Sequence, residues 1–140
     1  MPRSVIRPSL EDCLESIYYH FTVQQGVKAI DIAKSLNVSR PFVTEMLKKL
    51  AAEELINYTP YGIISMTPQG IKSAQKIFKK HTCLTAFFEN VLCLDPDEAQ
   101  KNACQIEHVI SEKAFKRLVA FTEFVQQNKK DFSAVFQKGK

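Results

Sequence analysis

Two short helical segments joined by a tight turn, within residues 29–50, constrain the fold of this chain more than any other feature of its sequence. Asn37, which tolerates the left-handed backbone conformation, stands where the first segment stops. Ser39 follows as an N-cap, and Pro41 lies in the first turn of the second helix. This arrangement predicts a helix-turn-helix unit. Its apolar positions at helical spacing are Ile30, Ile32, Ala33, Leu36, Val43, Met46, Leu47 and Leu50.

The segments on either side of this unit extend the prediction. Upstream, residues 9–23 show helical apolar spacing, with Ser9 and Asp12 placed as a capping box. Downstream, residues 55–67 are rich in aromatic and β-branched residues and are broken at Pro60-Tyr61-Gly62, which predicts a short hairpin. A hairpin directly after the second helix of a helix-turn-helix makes the winged variety.

The rest of the chain is predicted to be helical. Thr67 with Pro68, Asp95 with Pro96, and Ser111 are helix-start signals, and the helix that starts at Asp95 is expected to end near Ile110. We therefore expect a mainly α chain, with a winged helix-turn-helix domain over 1–68 followed by an all-helical domain over 69–140. Three helices bury the apolar residues after residue 70 poorly without a second copy, so a homodimer is expected. The aromatic residues concerned are Phe78, Phe87, Phe88, Phe115, Phe121 and Phe124.

Composition and charge restrict the function classes. The sequence has 45% apolar and 24% charged residues, in the range of soluble globular proteins, and no apolar run is long enough to span a membrane. It shows no secretory signal, so we expect a cytoplasmic protein. Residues 1–80 carry 11 Lys and Arg against 7 Asp and Glu, whereas residues 81–140 carry 8 of each. The positive N-terminal half is compatible with a polyanionic partner such as nucleic acid, although from charge alone a solvated lysine surface is the stronger interpretation.

One cysteine has neighbours that suggest chemistry. The four cysteines form no C-x-x-C pair, so a zinc ribbon or a thioredoxin-type motif is absent. Cys104, Glu107 and His108 are spaced i, i+3 and i+4, which puts three metal-competent groups on one helical face. A core cysteine beside a surface Glu-His pair explains the same spacing about equally well.

Other metal-competent residues have stronger structural explanations when taken singly. Asp12 and Glu15 share a face of the first predicted helix, but an acid at that place also caps the helix and meets its dipole. His81 in the long helix, taken alone, is most simply a hydrogen-bonded, partly buried histidine. His20 has no acidic or thiol companion at helical spacing, and we interpret it as structural.

Taken together, these residues give the chain a family resemblance from about Ser9 to Phe124. The chain resembles the diphtheria toxin repressor and manganese transport regulator family of metal-dependent transcriptional repressors. The order and spacing of the matching segments are highly specific. These segments are Ser9–Tyr18, Asp31–Ser39, Val43–Leu50, Tyr58–Tyr61, Met66 with Thr67, Gly70, His81 and Ala103–His108.

The resemblance implies a metal corepressor, Mn²⁺ or Fe²⁺, held between a DNA-binding and a dimerisation domain. It also implies operator DNA as the partner of a homodimer that controls metal-uptake genes, with no membrane and no small-molecule substrate. We expect no C-terminal SH3-like domain. In this respect the chain is similar to the short, manganese-type branch of the family. The ligands carried over from the family are Asp12, Glu15, His81, Cys104, Glu107 and His108.

The ligand set is a hybrid of the family's two branches. Iron-type members share a cysteine at the place of Cys104 but have methionine at that of Asp12. Manganese-type members have aspartate there and often a carboxylate at position 104. Thr85 and Gln100 stand where iron-type members have ancillary ligands, so a second ion would be held by Asp12, Glu15 and His81. Oxygen ligands suit Mn²⁺, while a thiolate suits Fe²⁺, Co²⁺ or Zn²⁺.

For DNA, the resemblance places the third helix in the major groove. We expect Ser39 and Arg40 to meet phosphates, and Glu45 to accept a hydrogen bond from a cytosine amino group. Pro41, Phe42 and Thr44 could contact thymine methyl groups, and the lysines could contact the DNA backbone. The sequence does not assign contacts to the wing. The full candidate set is Lys28, Ser39, Arg40, Pro41, Phe42, Thr44, Glu45 and Lys48, with Lys49 as a further backbone anchor.

Two other functions compete with the metal-dependent repressor. The first is a metal-independent winged-helix regulator in which Cys104 fills the core or senses redox state. The second, remote one is a small metal hydrolase that uses the face formed by Cys104, Glu107 and His108. No nucleophile–base pair or glycine-rich phosphate loop accompanies that face, so we expect the protein not to be an enzyme.

Overall fold

The computed structural model describes residues 8–24 and 26–137 of the chain. These residues divide into two compact units between Lys76 and Ile77, within a long helix. The predicted domain boundary between residues 68 and 69 stays a prediction.

The described residues are mainly helical, as predicted. The elements are α1 (Leu10–Val23), α2 (Ala29–Leu36), α3 (Arg40–Ala52), β1 (Ile56–Asn57), β2 (Ser65–Met66), α4 (Pro68–Asn90), α5 (Pro96–Ile106), α6 (Glu112–Gln127) and α7 (Ser133–Gln137).

Local capping explains where the first three helices begin and end. The Ser9 hydroxyl accepts a hydrogen bond from the Asp12 amide, and the Asp12 carboxylate accepts one from the Ser9 amide, which completes a capping box. Asn37 closes α2 in the left-handed conformation with φ of 55°. Ser39 then caps α3 by accepting from the Phe42 amide, and Pro41 lies in the first turn. The predicted helix-turn-helix is confirmed.

The wing is an antiparallel two-stranded sheet. Ile56 pairs with Met66 and Asn57 with Ser65. A single bridge between Val27 and Ile64 extends the pairing to the segment before α2. At Gly70 of α4, any Cβ atom would collide with the Leu55 carbonyl oxygen, which explains why glycine stands at this position.

The core of the first unit lies between the helix-turn-helix and the wing. Helix α1 packs against α2, α3 and β2, and α3 packs against β1. The largest side chains fully buried there are Val27, Ile17, Ile32, Val43, Leu47, Leu50 and Ile64. This core holds α3 fixed while its opposite face stays in solvent.

The second unit has a small core of its own. Leu84 and Phe88 of α4 and Ala99 and Ala103 of α5 form a buried cluster. Partly buried side chains pack around it, including Phe87, Leu92, Leu94, Ile106, Ile110, Phe115 and Leu118. Other aromatic side chains stay largely in solvent: Phe78 is 54%, Phe121 44% and Phe124 50% exposed.

In the second unit, the predicted end of one helix is wrong, and a short helix forms near the end of the described residues. Helix α5 ends at Ile106 rather than near Ile110, because the backbone tightens, with Val109 donating to the Ile106 carbonyl, before Ser111 caps α6. After α6, a short helix forms over Ser133–Gln137, and the ring of Phe132 stacks on that of Phe121 with 6.5 Å between centroids.

Candidate metal centre and nucleic-acid interface

The second unit brings together three side chains able to bind a metal ion. His81 lies on α4, Cys104 in the last turns of α5, and Glu107 directly after that helix. One imidazole nitrogen, the thiol sulfur and one carboxylate oxygen all lie within 4.8 Å of one another. The long-range approach of α4 and α5 thus brings His81 to two candidate ligands, Cys104 and Glu107, that helical spacing indicates.

Glu107 is the centre of this cluster. Its side chain is only 2% exposed. Oε2 lies 3.1 Å from Nδ1 of His81, and since a carboxylate can only accept, the imidazole donates this hydrogen bond. Oε1 lies 3.4 Å from Nε2 of His108 but accepts no hydrogen bond from any described residue. A buried carboxylate oxygen without a donor is costly unless a positive charge compensates it.

The predicted helical face of Cys104, Glu107 and His108 is only partly helical. Because α5 ends at Ile106, Glu107 and His108 lie in the turn that follows the helix. The Glu107 amide still donates to the Ala103 carbonyl at 3.0 Å, so this turn continues the path of the helix. Cys104 is exposed to solvent and His108 is half-buried, whereas the preceding Ala103 is fully buried. The interpretation of Cys104 as a core residue is therefore wrong.

The two other predicted ligands belong to the first unit. Asp12 and Glu15 lie one turn apart on α1, and both are half-buried. Oδ2 of Asp12 accepts the Ser9 amide hydrogen bond at 2.8 Å, so the expected capping role of this residue is present. His20, interpreted as structural, donates from Nδ1 to the Ser16 carbonyl at 2.8 Å.

Cys13, between the two acids, is a different kind of thiol from Cys104. Its side chain is completely buried among apolar residues of the first unit. Burial, with a smaller contribution from the neighbouring Asp12 charge, raises the pKa of the Cys13 thiol to about 12. The group is therefore a neutral core residue at physiological pH.

A groove of about 700 Å³ runs along the exposed side of the helix-turn-helix. Six of the eight predicted DNA-contact residues line it: Lys28, Arg40, Pro41, Thr44, Glu45 and Lys48. The two others, Ser39 and Phe42, flank the start of α3 and do not line the groove. The lining carries three cationic side chains against one acid, and that acid, Glu45, forms an exposed ion pair with Lys48 at 3.7 Å.

The wing also lines the groove, a contribution that the sequence left open. Tyr58, Pro60, Tyr61 and Gly62 line it. The break at Pro60-Tyr61-Gly62 was the available signal, since it marks the tip of a hairpin that follows a helix-turn-helix. The wing and α3 thus line one basic groove.

None of the described helices is both long and apolar enough to cross a membrane.

Comparison with known proteins gives two family matches that follow one another along the chain. Residues 6–64 match the N-terminal DNA binding domain of the iron dependent repressors. Residues 67–131 match the metal binding and dimerisation domain of the same family.

Individual relatives agree with these matches. An HTH-type transcriptional regulator of Methanocaldococcus jannaschii is 39% identical over 116 residues, which cover 82% of this chain and 93% of the relative. The transcriptional regulator MntR of Geobacillus kaustophilus is 28% identical over 128 residues, which cover 91% of this chain and 90% of MntR.

Solved structures give the same result for the fold. The manganese regulator SloR superposes with a TM-score of 0.75 at 30% identity, over 85% of this chain and 55% of SloR. The chain spans about half the length of SloR and of other solved metal-dependent regulators that it matches. With both halves of the sequence matched, the chain belongs to the iron-dependent repressor family of metal-dependent transcriptional regulators.

Proposed function

We propose that this protein is a cytoplasmic repressor that uses Mn²⁺ or Fe²⁺ as corepressor, binds operator DNA as a homodimer and controls metal-ion homeostasis genes. The observation that carries the proposal is the buried Glu107 carboxylate. It lies between the imidazoles of His81 and His108, and beside the thiol of Cys104.

The side chains of this cluster fit a divalent cation. A carboxylate, a thiol and two imidazoles are all common ligands of first-row transition metals. Oε1 of Glu107 is buried and accepts no hydrogen bond from a described residue, so a cation there would compensate a group whose burial is otherwise costly. When bound, the cation supplies positive charge to this carboxylate. We propose His81, Cys104, Glu107 and His108 as its holders in the second unit.

Asp12 and Glu15 complete the proposed ligand set, on the strength of the family resemblance. Both lie on α1 of the unit that contains the helix-turn-helix, and both are half-buried. In this proposal, α1 binds the corepressor and passes the effect of binding to the helix-turn-helix. Both belong to the DNA-binding domain, proposed over residues 1–68. The metal-binding and dimerisation domain is proposed to extend over residues 69–140.

The identity of the metal follows from the ligand types. Carboxylates favour Mn²⁺, imidazoles suit several borderline cations, and the thiolate of Cys104 favours Fe²⁺ over Mn²⁺. We propose that both Mn²⁺ and Fe²⁺ activate the protein. Zn²⁺ is expected to bind tightly in vitro because the general affinity order of divalent metals favours it.

DNA binding is proposed for the groove between α3 and the wing. Lys28, Arg40 and Lys48 give it a positive lining that attracts the phosphate backbone. The first turns of α3 carry Pro41, Thr44 and Glu45 into the same groove, where they can meet base edges. Ser39 and Phe42 remain proposed contacts at the start of the helix.

The homodimer is proposed from the surface of the second unit. Phe78, Phe121 and Phe124 are each between 44% and 54% exposed, an unusual amount of aromatic surface for a small helical unit. The match of residues 67–131 to a dimerisation domain supports a second copy of this chain as the partner. A two-fold dimer would present two reading helices to a palindromic operator.

A DNA mobility-shift titration tests the proposal. Purified protein is mixed with a duplex selected from a randomised pool, across Mn²⁺, Fe²⁺, Co²⁺ and Zn²⁺, with a chelator as control and oxygen excluded for Fe²⁺. We expect a specific shift with Mn²⁺ and with Fe²⁺ that the chelator abolishes. Equal affinity with and without chelator would leave the metal-independent winged-helix regulator as the function.

A further inference from the structure

The tip of the wing is a tight turn with a tyrosine in an unusual conformation. The Gly62 amide donates to the Thr59 carbonyl at 2.8 Å, which closes a four-residue turn. Pro60 and Tyr61 occupy its two central positions, and Tyr61 has φ of 62°. Proline followed by a residue of positive φ is typical of a type II turn, in which glycine or asparagine ordinarily takes the place that tyrosine occupies here.

This conformation has no structural explanation of the kind that applies elsewhere in the chain. A left-handed backbone is unfavourable for a residue with a Cβ atom. Among the described residues, four other non-glycine residues have positive φ, and each lies within three residues of the end of a helix, in the turn by which the chain leaves it. These residues are Asn37, Glu54, Cys93 and Lys129. Tyr61 closes no helix, so its strain has another origin.

Packing within the chain does not compensate the strain either. The Tyr61 side chain is 98% exposed, the highest value among the exposed large apolar residues of the described chain. Within its turn, Pro60 fixes one dihedral angle, and a Cβ atom at Gly62 would collide with the Thr59 hydroxyl, which favours glycine at this last position. The turn thus holds an aromatic ring in solvent, and local strain of this kind suggests a functional role.

The residues that share the groove with Tyr61 indicate its partner. Tyr61 lines the same groove as Arg40, Thr44 and Lys48 of α3. A duplex whose major groove receives α3 has its sugar-phosphate backbone beside that helix, where the wing lines the groove. Tyrosine hydroxyls are regular donors to DNA phosphates, and these contacts position a protein on DNA without reading sequence.

We propose that Tyr61 is a DNA-positioning residue of the wing, with its hydroxyl donating to a backbone phosphate and its ring against the adjacent deoxyribose. This inference rests on the proposed function, since it assigns a role within the same DNA complex.

Two variants separate the ring from its hydroxyl. Tyr61→Asn suits the left-handed conformation and removes the ring, while Tyr61→Phe keeps the ring and removes the hydroxyl. Tyr19→Phe is the matched control, because Tyr19 is also well exposed but does not line the groove. Affinity is measured by fluorescence anisotropy with Mn²⁺, on a duplex selected from a randomised pool by the wild-type protein and on a random-sequence duplex.

We expect Tyr61→Asn to weaken binding to both duplexes by about three- to tenfold, as for the loss of one hydrogen bond with its packing. Tyr61→Phe should fall between this variant and the wild type, and Tyr19→Phe should match the wild type. The melting temperature of Tyr61→Asn should be no lower than that of the wild type, because the strain is relieved. This combination of weaker DNA binding and undiminished stability is the signature of the proposed role.

Three results would overturn the inference. Unchanged affinity of Tyr61→Asn for both duplexes would show that the ring contacts no DNA. A loss confined to the selected duplex would assign Tyr61 to base contact rather than to the backbone. A wild-type protein that shifts no duplex with Mn²⁺ or Fe²⁺ would overturn the repressor proposal itself, and this inference with it, a result distinct from the first two.

Discussion

Nδ1 of His81 lies 3.1 Å from Oε2 of Glu107, although the two residues are 26 positions apart in the chain. This hydrogen bond ties the middle of α4 to the end of α5. It also orients a carboxylate that is almost completely buried. The bond therefore connects the core of the second unit to the cluster that we propose as the metal centre.

Replacing Glu107 by glutamine should separate folding from metal binding. The amide keeps the shape and an acceptor for His81, but it removes the buried charge that a cation would compensate. We expect the melting temperature in chelator to be no lower than in the wild type. The rise in stability on adding Mn²⁺, about 2.7 kcal/mol at a hundredfold excess over the dissociation constant, should largely disappear.

Calorimetry with and without Mn²⁺ measures both quantities for Glu107→Gln. Glu123→Gln is the control, because Glu123 is an exposed residue of α6. A Glu107→Gln protein that keeps the full metal-induced stabilisation would show that this carboxylate does not hold the ion.

Replacing His108 by alanine should weaken activation by metal and leave the fold largely intact. Nε2 of His108 faces Oε1 of Glu107 at 3.4 Å, and the side chain is only half-buried, so little packing is lost. We expect the Mn²⁺ midpoint for DNA binding to rise by about tenfold or more, as for the loss of one metal ligand or of a group that supports one.

His20→Ala provides the comparison for this titration. His20 is the histidine of α1 that donates to the Ser16 carbonyl, and it lies outside the predicted ligand set. An unchanged midpoint in His108→Ala, with circular dichroism confirming the fold, would contradict the assignment of His108 as a ligand.

Replacing Cys104 by glutamate should shift metal selectivity toward Mn²⁺. A thiol must lose its proton to bind a metal ion, and Fe²⁺ binds the resulting thiolate more strongly than Mn²⁺ does. Because Cys104 is exposed, the larger carboxylate can be accommodated without disturbing a core. We expect the ratio of the Mn²⁺ to the Fe²⁺ activation midpoint to fall, and a bridging carboxylate to favour a second ion.

The two midpoints are measured for both proteins under anaerobic conditions. Cys93→Glu is the matched control, because Cys93 is also exposed but lies outside the cluster. A constant ratio in Cys104→Glu would place this thiol outside the coordination sphere.

The four thiols should react at very different rates with iodoacetamide. Cys93 and Cys104 are exposed, Cys83 is half-buried and Cys13 is fully buried. The thiolate is the reactive form, and burial raises the pKa of Cys13 to about 12, so Cys13 is protonated at every pH well below that value. We expect Cys13 to be modified at pH 8 only after the protein is unfolded.

Mass spectrometry of peptides follows the modification of each cysteine over time. Addition of Mn²⁺ or Fe²⁺ should slow the reaction of Cys104 and leave that of Cys93 unchanged. Rapid modification of Cys13 in the native protein would contradict its place in the core, and a Cys104 rate insensitive to both metals would contradict its place at the metal.

Much of the fold is readable along the chain because its signals are local. Ser9, Asn37, Ser39 and Ser111 act on backbone groups within a few residues, and each holds the predicted position at a helix terminus. The helix-turn-helix and the hairpin after it follow from such signals together with apolar periodicity. The spacing of Cys104 and Glu107 likewise predicted that the two side chains lie close together, as they do.

Features that depend on packing between distant segments could not be read in this way. Apolar periodicity predicted that α5 ends near Ile110, but the helix ends at Ile106, where the chain turns toward α6. The burial of Glu107, and its hydrogen bond to His81, arise because α4 and α5 pack through Leu84 and Ala103. The place of Tyr61 in the groove depends on the wing folding beside α3. Sequence patterns encode local hydrogen bonds and apolar faces, whereas these approaches are set by side chains far apart in the chain filling one core.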